Sequence, residues 1–250
     1  MAAPTQRTAI VTGAARRVGR AIAEALIAEG WAVVAHVRSK GDDAAAGAIK
    51  VAADLEHGGA AASIFDAAGA LPPVGLLVNN AARFAWDGPG QVDREEFSRH
   101  LATNALAPAS LIEEMARRHR PGSSACVVNL LDSKLAAPNP DYLSYTVSKS
   151  ALAAVTELYA RALARAGIRV NAVAPALMLR SSGQSEENYT AMHANNPLGR
   201  GVEPRDVVDA ILFLEKATAV TGQVILIDGG QRFLALERDV QFLDGWAGKA

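Results

Sequence analysis

Short apolar segments alternate along this chain with longer segments of helical periodicity, and this alternation constrains the fold more than any other feature. Strands that alternate with helices are joined by right-handed crossovers, which produces a parallel sheet with helices on both faces. The strand segments are continuous apolar runs, as expected for a sheet that is buried on both sides. Seven strands are predicted: 8–11, 31–37, 51–54, 74–78, 125–131, 168–174 and 224–227.

The segments between these strands predict helices at 13–29, 93–118 and 142–166, with weaker alanine-rich helices before the third and fourth strands. Neither a linker nor a repeat interrupts the series. We therefore expect one doubly wound α/β Rossmann domain over residues 1–250. A polar stretch at about 176–201 is predicted to be a substrate loop, because loops of that length in compact domains usually cover or bind a ligand.

Composition excludes several classes of protein. Half of the 250 residues are hydrophobic, 20% are charged and the net charge is −1, which excludes a disordered chain and argues against a nucleic-acid partner. A single cysteine, Cys126, excludes a disulfide framework, and His193 has no partner at metal spacing, so no metal is expected. No apolar stretch is long enough for a membrane span and no secretory signal is evident, so a cytoplasmic protein without a membrane partner is expected.

A glycine turn follows the first predicted strand, in the segment from Thr12 to Gly19. Glycine at a strand-to-helix turn lets backbone N–H groups approach a pyrophosphate, and the helix N-terminus adds a partial positive charge. Gly13 and Gly19 are therefore candidates for a phosphate-binding turn. An ordinary strand-to-helix turn is the alternative, since glycines alone are weak evidence.

The end of the second predicted strand distinguishes NAD from NADP. An acidic residue there binds the ribose 2′-hydroxyl, whereas an arginine accommodates a 2′-phosphate. This chain has Arg38 and Ser39 at that point and no acid before Asp42. The pattern predicts NADPH as the cofactor, with a solvated charged turn as the alternative.

Tyr145 and Lys149 carry the strongest chemical signal. Their i,i+4 spacing places them on one face of a predicted helix. An ammonium one turn from a phenol favours the phenolate, so we expect the pKa of Tyr145 to lie below its usual value and the phenol to exchange a proton with a substrate.

Together these segments resemble the short-chain dehydrogenase/reductase family over roughly residues 7–232. Further matching segments are Asp54-Leu55, Asn79-Asn80-Ala81, Asn104 with Ala107-Pro108, Arg169-Val170-Asn171, Pro175 and Ile227-Asp228-Gly229-Gly230. The resemblance implies a Rossmann sheet, nicotinamide-dependent hydride transfer and a homotetramer. It also implies that the long helices at 93–118 and 142–166 form the subunit interface. The tail after Phe233, which contains Phe242 and Trp246, is a candidate for docking on a neighbouring subunit.

The resemblance assigns roles to individual residues. It makes Tyr145 the proton donor, Lys149 the residue that lowers its pKa and holds the nicotinamide ribose, and Asn104 the organiser of a proton relay. It also implies cofactor contacts from Gly13, Arg16, Arg17, Val18, Gly19, Arg38, Ser39, Asp54, Leu55, Asn80, Ala81 and Pro175.

Two departures from the family pattern indicate one of its branches. Arg17 replaces the usual middle glycine of the first turn, and Asp132 replaces the usual serine thirteen residues before the tyrosine. With Phe84 and the Arg38-Ser39 pair, these residues resemble the pteridine reductase branch, which includes dihydromonapterin and dihydrofolate reductases of the short-chain type. That resemblance implies that Arg17 faces the cofactor phosphates and the pterin, and that Phe84 stacks the pterin against the nicotinamide.

In the same branch, Asp132 is expected to work with Tyr145 in protonating the pterin ring. An ionised carboxylate there raises the pKa of the phenol and opposes Lys149, whereas a carboxyl kept protonated by desolvation can donate to a ring nitrogen. Two alternatives stay open for this position. Asp132 is a turn cap in one, and Ser133 is the family serine after a one-residue shift in the other.

The sequence thus predicts an NADPH-dependent reductase of a dihydropteridine, with a substrate site formed by Arg17, Phe84, Asp132 and Tyr145. A short-chain reductase of a carbonyl substrate, such as a 3-oxoacyl thioester, a sugar or another ketone, is the alternative enzyme. A catalytically idle NADPH-binding protein is the alternative outside the enzymes.

Overall fold

The computed structural model describes residues 7–181 and 183–243. Seven parallel strands form one sheet in the order β3-β2-β1-β4-β5-β6-β7. The strands are β1 (Thr8–Val11), β2 (Ala32–Val37), β3 (Ile49–Ala52), β4 (Val74–Asn79), β5 (Ala125–Leu130), β6 (Ile168–Pro175) and β7 (Val224–Ile227). The predicted doubly wound parallel sheet is confirmed.

Within residues 7–181 and 183–243, seven α-helices connect or follow the strands. They are α1 (Arg17–Ala28), α2 (Ala60–Asp66), α3 (Arg94–Leu101), α4 (Ala107–Arg118), α5 (Leu143–Leu163), α6 (Glu186–His193) and α7 (Pro204–Lys216). A π-helical turn, Ala102–Leu106, joins α3 to α4, and short 3-10 helices lie at Ser133–Ala136, Ala164–Ala166, Gln231–Leu234 and Val240–Phe242. None of the helices in the described ranges is both long and apolar enough to cross a bilayer.

Each face of the sheet is covered by its own hydrophobic cluster. Ile22 and Leu26 of α1 and Ile211 of α7 cover one face. Phe65 of α2 and Leu111 of α4 belong to the cluster on the other face, together with residues of α5. Burial on both sides explains why the strand segments read as unbroken apolar runs.

Two local predictions were wrong, and one helix was missed. The third strand lies at Ile49–Ala52 rather than 51–54, in register with Val34–Val37 of β2. The alanine-rich helix expected before it does not form, because Gly41 and the left-handed Gly47 (φ +89°) divide the short connection into turns. Helix α7 had not been predicted, although its capping box at Glu203 and Asp206 is a readable start signal.

The carboxyl ends of β1, β2, β4, β5 and β6 meet along one edge of the sheet. In open α/β sheets, ligands bind in the crevice outside that edge, where the strand order reverses. The reversal here lies between β1 and β4. Asp54 and Leu55 follow β3, and every other site residue predicted from the sequence follows or ends one of these five strands or lies in the helices that continue from them.

Candidate active site

A cleft of about 730 Å³ lies at this edge, over the ends of β1, β2 and β4. We call it the cofactor cleft. Its lining includes all but one of the residues predicted to bind the cofactor outside the catalytic pair: Gly13, Arg16, Arg17, Val18, Gly19, Arg38, Ser39, Asp54, Leu55, Asn80 and Ala81. The exception, Pro175, ends β6 beside the second pocket described below.

The two glycines of the first turn are required by close packing. Gly13 has φ +65°, and a Cβ there would lie 2.9 Å from the Cα of Ala81. A Cβ on Gly19 would lie 2.2 Å from the carbonyl oxygen of Gly13. The Asn80 side chain fixes the turn from the other side, where its Nδ2 donates to the carbonyls of Thr12 at 2.8 Å and Gly13 at 3.2 Å.

His36 also holds this turn, and sequence reasoning missed it. Its Nδ1 accepts a hydrogen bond from the N–H of Gly13 at 3.2 Å, so its Nε2 is the donor to the carbonyl of Ala53 at 2.9 Å. Burial lowers the pKa of His36, which favours this neutral form. A histidine inside an otherwise apolar strand was the available signal.

The cofactor cleft holds unpaired positive charge. Within the described ranges, Arg16 and Arg38 form no ion pair with any residue. The N-cap residue of α1, Arg16, makes no side-chain hydrogen bond to the helix. The backbone N–H groups of the first turn therefore stay available as donors to a ligand. Just after the end of β2, the Asp42 carboxylate accepts a hydrogen bond from the N–H of Ser39 at 2.9 Å, and it is the acidic group beside that strand end. Guanidinium groups and helix N–H donors together fit a dinucleotide that carries several phosphates.

A second pocket, of about 200 Å³, adjoins the cleft and shares Arg17, Val18, Phe84 and Ser181 with it. We call it the catalytic pocket. All four residues predicted to bind substrate line it: Arg17, Phe84, Asp132 and Tyr145. Arg17 adopts a left-handed conformation (φ 54°) and donates to the carbonyls of Leu179 and Arg180 at 3.3 and 3.4 Å.

Asp132 joins the turn after β5 to the buried tyrosine. The hydroxyl of Tyr145 donates to Oδ2 of Asp132 at 2.9 Å, while Oδ1 of Asp132 accepts from the N–H of Lys134 at 2.9 Å. The same carboxyl therefore caps the 3-10 helix and contacts the phenol. Ser133 lines the pocket, but its hydroxyl has no hydrogen-bond partner in the described part of the chain.

The electrostatics of this pair differ from the sequence prediction. Burial raises the pKa of Asp132, and burial followed by the charge of Asp132 raises the pKa of Tyr145 well above its ordinary value. The expectation that Lys149 lowers the pKa of Tyr145 is wrong for this structure. The Lys149 ammonium lies 5.7 Å from the ring centroid and donates to the carbonyl of Leu130 at 2.6 Å. Burial lowers the pKa of Lys149 to about 8.

Asn104 lies in the π-helical turn and is fully buried. Its Nδ2 donates to the hydroxyl of Ser148 and the carbonyl of Arg83, both at 2.9 Å, and its Oδ1 accepts from the N–H of Arg83 at 2.7 Å. The amide thereby ties the loop that carries Phe84 to α5. The side chain does not contact Tyr145 or Lys149, so its part in a proton relay stays a prediction.

Phe84 packs at the junction of the two cavities. Its ring lies edge-on to Tyr145 with centroids 4.8 Å apart, and stacks on Tyr142 at 4.3 Å. Half of the Phe84 side chain remains exposed. One face of the Phe84 ring therefore packs on Tyr142, and the exposed part of the side chain lines both cavities. Tyr142 was not predicted as a site residue.

The segment after Phe233 also reaches the catalytic pocket, where Arg238, Asp239 and Val240 line one wall. Arg238 forms a bidentate ion pair with Asp141 at 2.7 and 2.9 Å. The described part of the segment after Phe233 thus packs on its own chain, whereas the sequence suggested docking on a neighbouring subunit. Phe242 lies 6.2 Å from Tyr142, ring to ring, while Trp246 lies outside the described residues.

Comparisons with known proteins agree with this arrangement. The family model described as "Enoyl-(Acyl carrier protein) reductase" matches residues 13–232. Pteridine reductase 1 of Leishmania tarentolae is 32% identical over 280 residues, which cover 91% of this chain and 96% of the relative. L-xylulose reductase of Bos taurus is 34% identical and covers 92% of this chain and 97% of the relative.

A solved structure gives the same picture. The FolM Alternative dihydrofolate reductase 1 from Brucella suis, in complex with NADP, superimposes with a TM-score of 0.84 at 34% identity. The match covers 92% of this chain and 96% of the other. The family model spans residues 13–232, and the two relatives and the solved structure each cover 91% or 92% of this chain. The chain therefore belongs to the short-chain dehydrogenase/reductase family and is an oxidoreductase enzyme.

Proposed function

We propose that this enzyme is an NADPH-dependent reductase of dihydropteridines. One observation carries the proposal: the carboxyl of Asp132 accepts the hydrogen bond of Tyr145 at 2.9 Å, at the position where the family usually has a serine. A carboxyl that retains its proton can donate to a ring nitrogen, and pteridines offer several. The similarity to pteridine reductase 1 and to the FolM structure supports the same assignment.

NADPH is the cofactor, and it supplies a hydride when bound. Arg38 and Ser39 hold the 2′-phosphate, and the first turn of α1 with Arg16 holds the pyrophosphate. On the adenosine side, Asp54 and Leu55 face the adenine while Asn80 and Ala81 line the neighbouring wall. Lys149 and Pro175 contact the nicotinamide half. The unpaired guanidinium groups of the cleft support this arrangement.

Tyr145 and Asp132 handle the proton. Because burial raises the pKa of both groups, the pair retains a proton at neutral pH and can pass it to a basic ring nitrogen. Lys149 does not lower the pKa of the phenol in this structure, and its ammonium stays available for the ribose. Phe84 forms one face of the slot that holds the flat ring, and Arg17 closes the slot at the phosphate side.

A carbonyl reductase remains the second candidate, because L-xylulose reductase is as similar to this chain as pteridine reductase 1. Tyr145 alone suffices to protonate a carbonyl oxygen, which leaves no task for the carboxyl of Asp132. An idle NADPH-binding protein is disfavoured, because Asp132 and Tyr145 line one pocket and the buried Lys149 ammonium lies 5.7 Å from the centroid of the Tyr145 ring.

We also propose that the enzyme is a homotetramer, as its resemblance to the short-chain dehydrogenase/reductase family implies. Large apolar side chains are exposed along the helices expected to form the interface. Leu106 and Leu158 are each 65% exposed, and Val147 is 41% exposed. Measuring the molar mass by light scattering tests this proposal, and a monomer at micromolar concentration contradicts it.

The function is tested by steady-state NADPH oxidation with 7,8-dihydrobiopterin, dihydromonapterin and dihydrofolate, beside a panel of ketones. We expect turnover of dihydropterins and a strong preference for NADPH over NADH. Activity on ketones alone would retain the family assignment and the role of Tyr145 but reject the pteridine substrate.

A further inference from the structure

One buried acceptor in the catalytic pocket has no partner. The Oδ1 atom of Asn139 is shielded from solvent, yet no group in residues 7–181 and 183–243 donates a hydrogen bond to it. Asn139 lines the catalytic pocket together with Asp132 and Tyr145. Leaving a buried acceptor unsatisfied costs about 1–3 kcal/mol, so such an atom in a ligand pocket indicates a place where the ligand donates.

The loop that carries Asn139 is held firmly. Before it, Lys134 forms an ion pair with Asp239 at 3.0 Å. After it, Asp141 binds Arg238 and also accepts from the N–H of Asp239 at 2.9 Å. The C-terminal segment therefore braces the loop on both sides of Asn139. The loop that carries the unpartnered amide is therefore held against the C-terminal segment at the wall of the pocket.

The charges on this wall indicate a neutral donor. The cations nearest to Asn139 along the wall, Lys134 and Arg238, are each paired with a carboxylate. Among the described residues that line the pocket, Arg17 is the cation without an ion pair, and its guanidinium donates to the carbonyls of Leu179 and Arg180. An amide oxygen beside paired charges suits a hydroxyl group, which gives one hydrogen bond and brings no charge.

We propose that Asn139 is a specificity residue whose Oδ1 accepts a hydrogen bond from a hydroxyl on the C6 side chain of a dihydropterin. This proposal rests on the proposed function. When a 7,8-dihydropterin is reduced, the C6=N5 double bond becomes single, C6 takes the hydride and N5 takes the proton. The C6 substituent is thus attached next to the nitrogen that Asp132 and Tyr145 serve. Asn139 lies on the loop that continues from Asp132 and lines the same pocket, so its Oδ1 is a candidate acceptor for a group on that substituent.

The test compares 7,8-dihydrobiopterin, which has a hydroxylated side chain, with 6-methyl-7,8-dihydropterin, which lacks hydroxyls. The variant Asn139→Leu removes the acceptor while keeping the number and branching of the non-hydrogen side-chain atoms, and Asn139→Ala removes it with a smaller side chain. The control Gln91→Leu removes an amide from an exposed loop residue outside both cavities.

For both Asn139 variants we expect kcat/KM for dihydrobiopterin to fall about fivefold to tenfold, mainly through KM, as for one lost hydrogen bond. The 6-methyl substrate and the Gln91→Leu variant should change by less than about twofold. Equal losses on both substrates, or no loss on either, overturn the role of Asn139 while the dihydropterin reductase assignment stands. A wild-type enzyme inactive on both substrates overturns the proposed function, and this inference with it.

Discussion

The cofactor cleft and the catalytic pocket adjoin each other, but they use their charges in opposite ways. In the cleft, Arg16 and Arg38 point into open space without an ion pair among the described residues. In the pocket, Lys134, Arg232 and Arg238 each pair with an aspartate of the same chain. Unpaired surface cations are ready to bind phosphates, whereas paired ones hold the wall in place. We therefore expect the cleft to supply most of the free energy of cofactor binding and the pocket to position the groups that take part in the reaction.

The variant Tyr145→Phe tests most directly whether the pocket and the cleft have separate roles. If the pocket supplies the chemistry and the cleft the cofactor affinity, kcat should fall about a hundredfold to ten-thousandfold, as for loss of a general acid. The Kd of NADPH, followed by its fluorescence, should stay within about threefold of the wild-type value. A parallel loss of NADPH binding would show that the two regions are not separable in this way.

The pair Asp132→Asn and Ser133→Ala separates the carboxyl from its neighbour inside the pocket. Because Asp132 contacts the phenol and Ser133 does not, we expect a kcat loss of about a hundredfold for the first and within about threefold for the second. If only Ser133→Ala abolishes turnover, Ser133 is the family serine and the pteridine assignment loses its main support.

The pH profile sharpens the same point. Burial raises the pKa of Asp132, so the wild-type enzyme keeps the protonated carboxyl to higher pH than an exposed aspartate does. As pH rises through that pKa, the proton is lost and kcat should decline. In Asp132→Asn this decline should disappear, and a profile unchanged by the substitution argues against proton donation by Asp132.

Arg38→Ala tests the unpaired charge of the cleft. We expect KM for NADPH to rise about tenfold to a hundredfold, as for a lost charge-assisted contact, with KM for NADH nearly unchanged. Arg20→Ala is the matched control, since Arg20 is already paired with Glu24 at 2.9 Å on the surface of α1. Equal losses with both cofactors would mean that Arg38 does not contact the 2′-phosphate.

The smallest effect concerns the stability cost of the buried Lys149. Its pKa is about 8 in the folded chain and about 10.4 when unfolded, so the unfolded state binds the proton more tightly. The loss of stability caused by burying the charged Lys149 is therefore complete below about pH 8, and it declines as the pH rises toward about 10.4. Relative to Lys149→Met, the free energy of unfolding of the wild type should increase by about 2 kcal/mol between pH 7.5 and 9.5.

Urea unfolding of both proteins at the two pH values measures this difference. The titrating groups that do not interact with Lys149 are common to both chains and cancel in the comparison. A difference that stays constant or declines with pH contradicts a depressed pKa for Lys149.

Much of the fold could be read from local patterns. The seven strands were predicted because apolar runs and turn residues are properties of a few consecutive positions. The prediction failed between β2 and β3, where alanine content suggested a helix that Gly41 and Gly47 prevent. Alanine favours a helix only when the segment is long enough to form one.

The members of the site were predictable in the same way, but their contacts were not. Gly13, Tyr145 and Lys149 lie in recognisable local patterns. The contact of Asp132 with the phenol agrees with the role that the family resemblance implied, but the direction of the pKa shift of Tyr145 was misjudged, because the i,i+4 rule counts Lys149 and takes no account of desolvation. His36 carried one usable signal, a histidine inside an apolar strand, whereas Asn139 had no pattern that distinguished a site residue from a packed one.

The sequence alone determined the parallel sheet, the glycine turn and the family, since each follows from residue types at fixed short spacings. Only the tertiary structure decided which charges are paired and which face a ligand. Arg238 and Asp141 are 97 positions apart, and Tyr145 and Asp132 come from different elements. Such contacts, and the desolvation that shifts the pKa of Asp132 and Lys149, exist only after distant segments have been packed together.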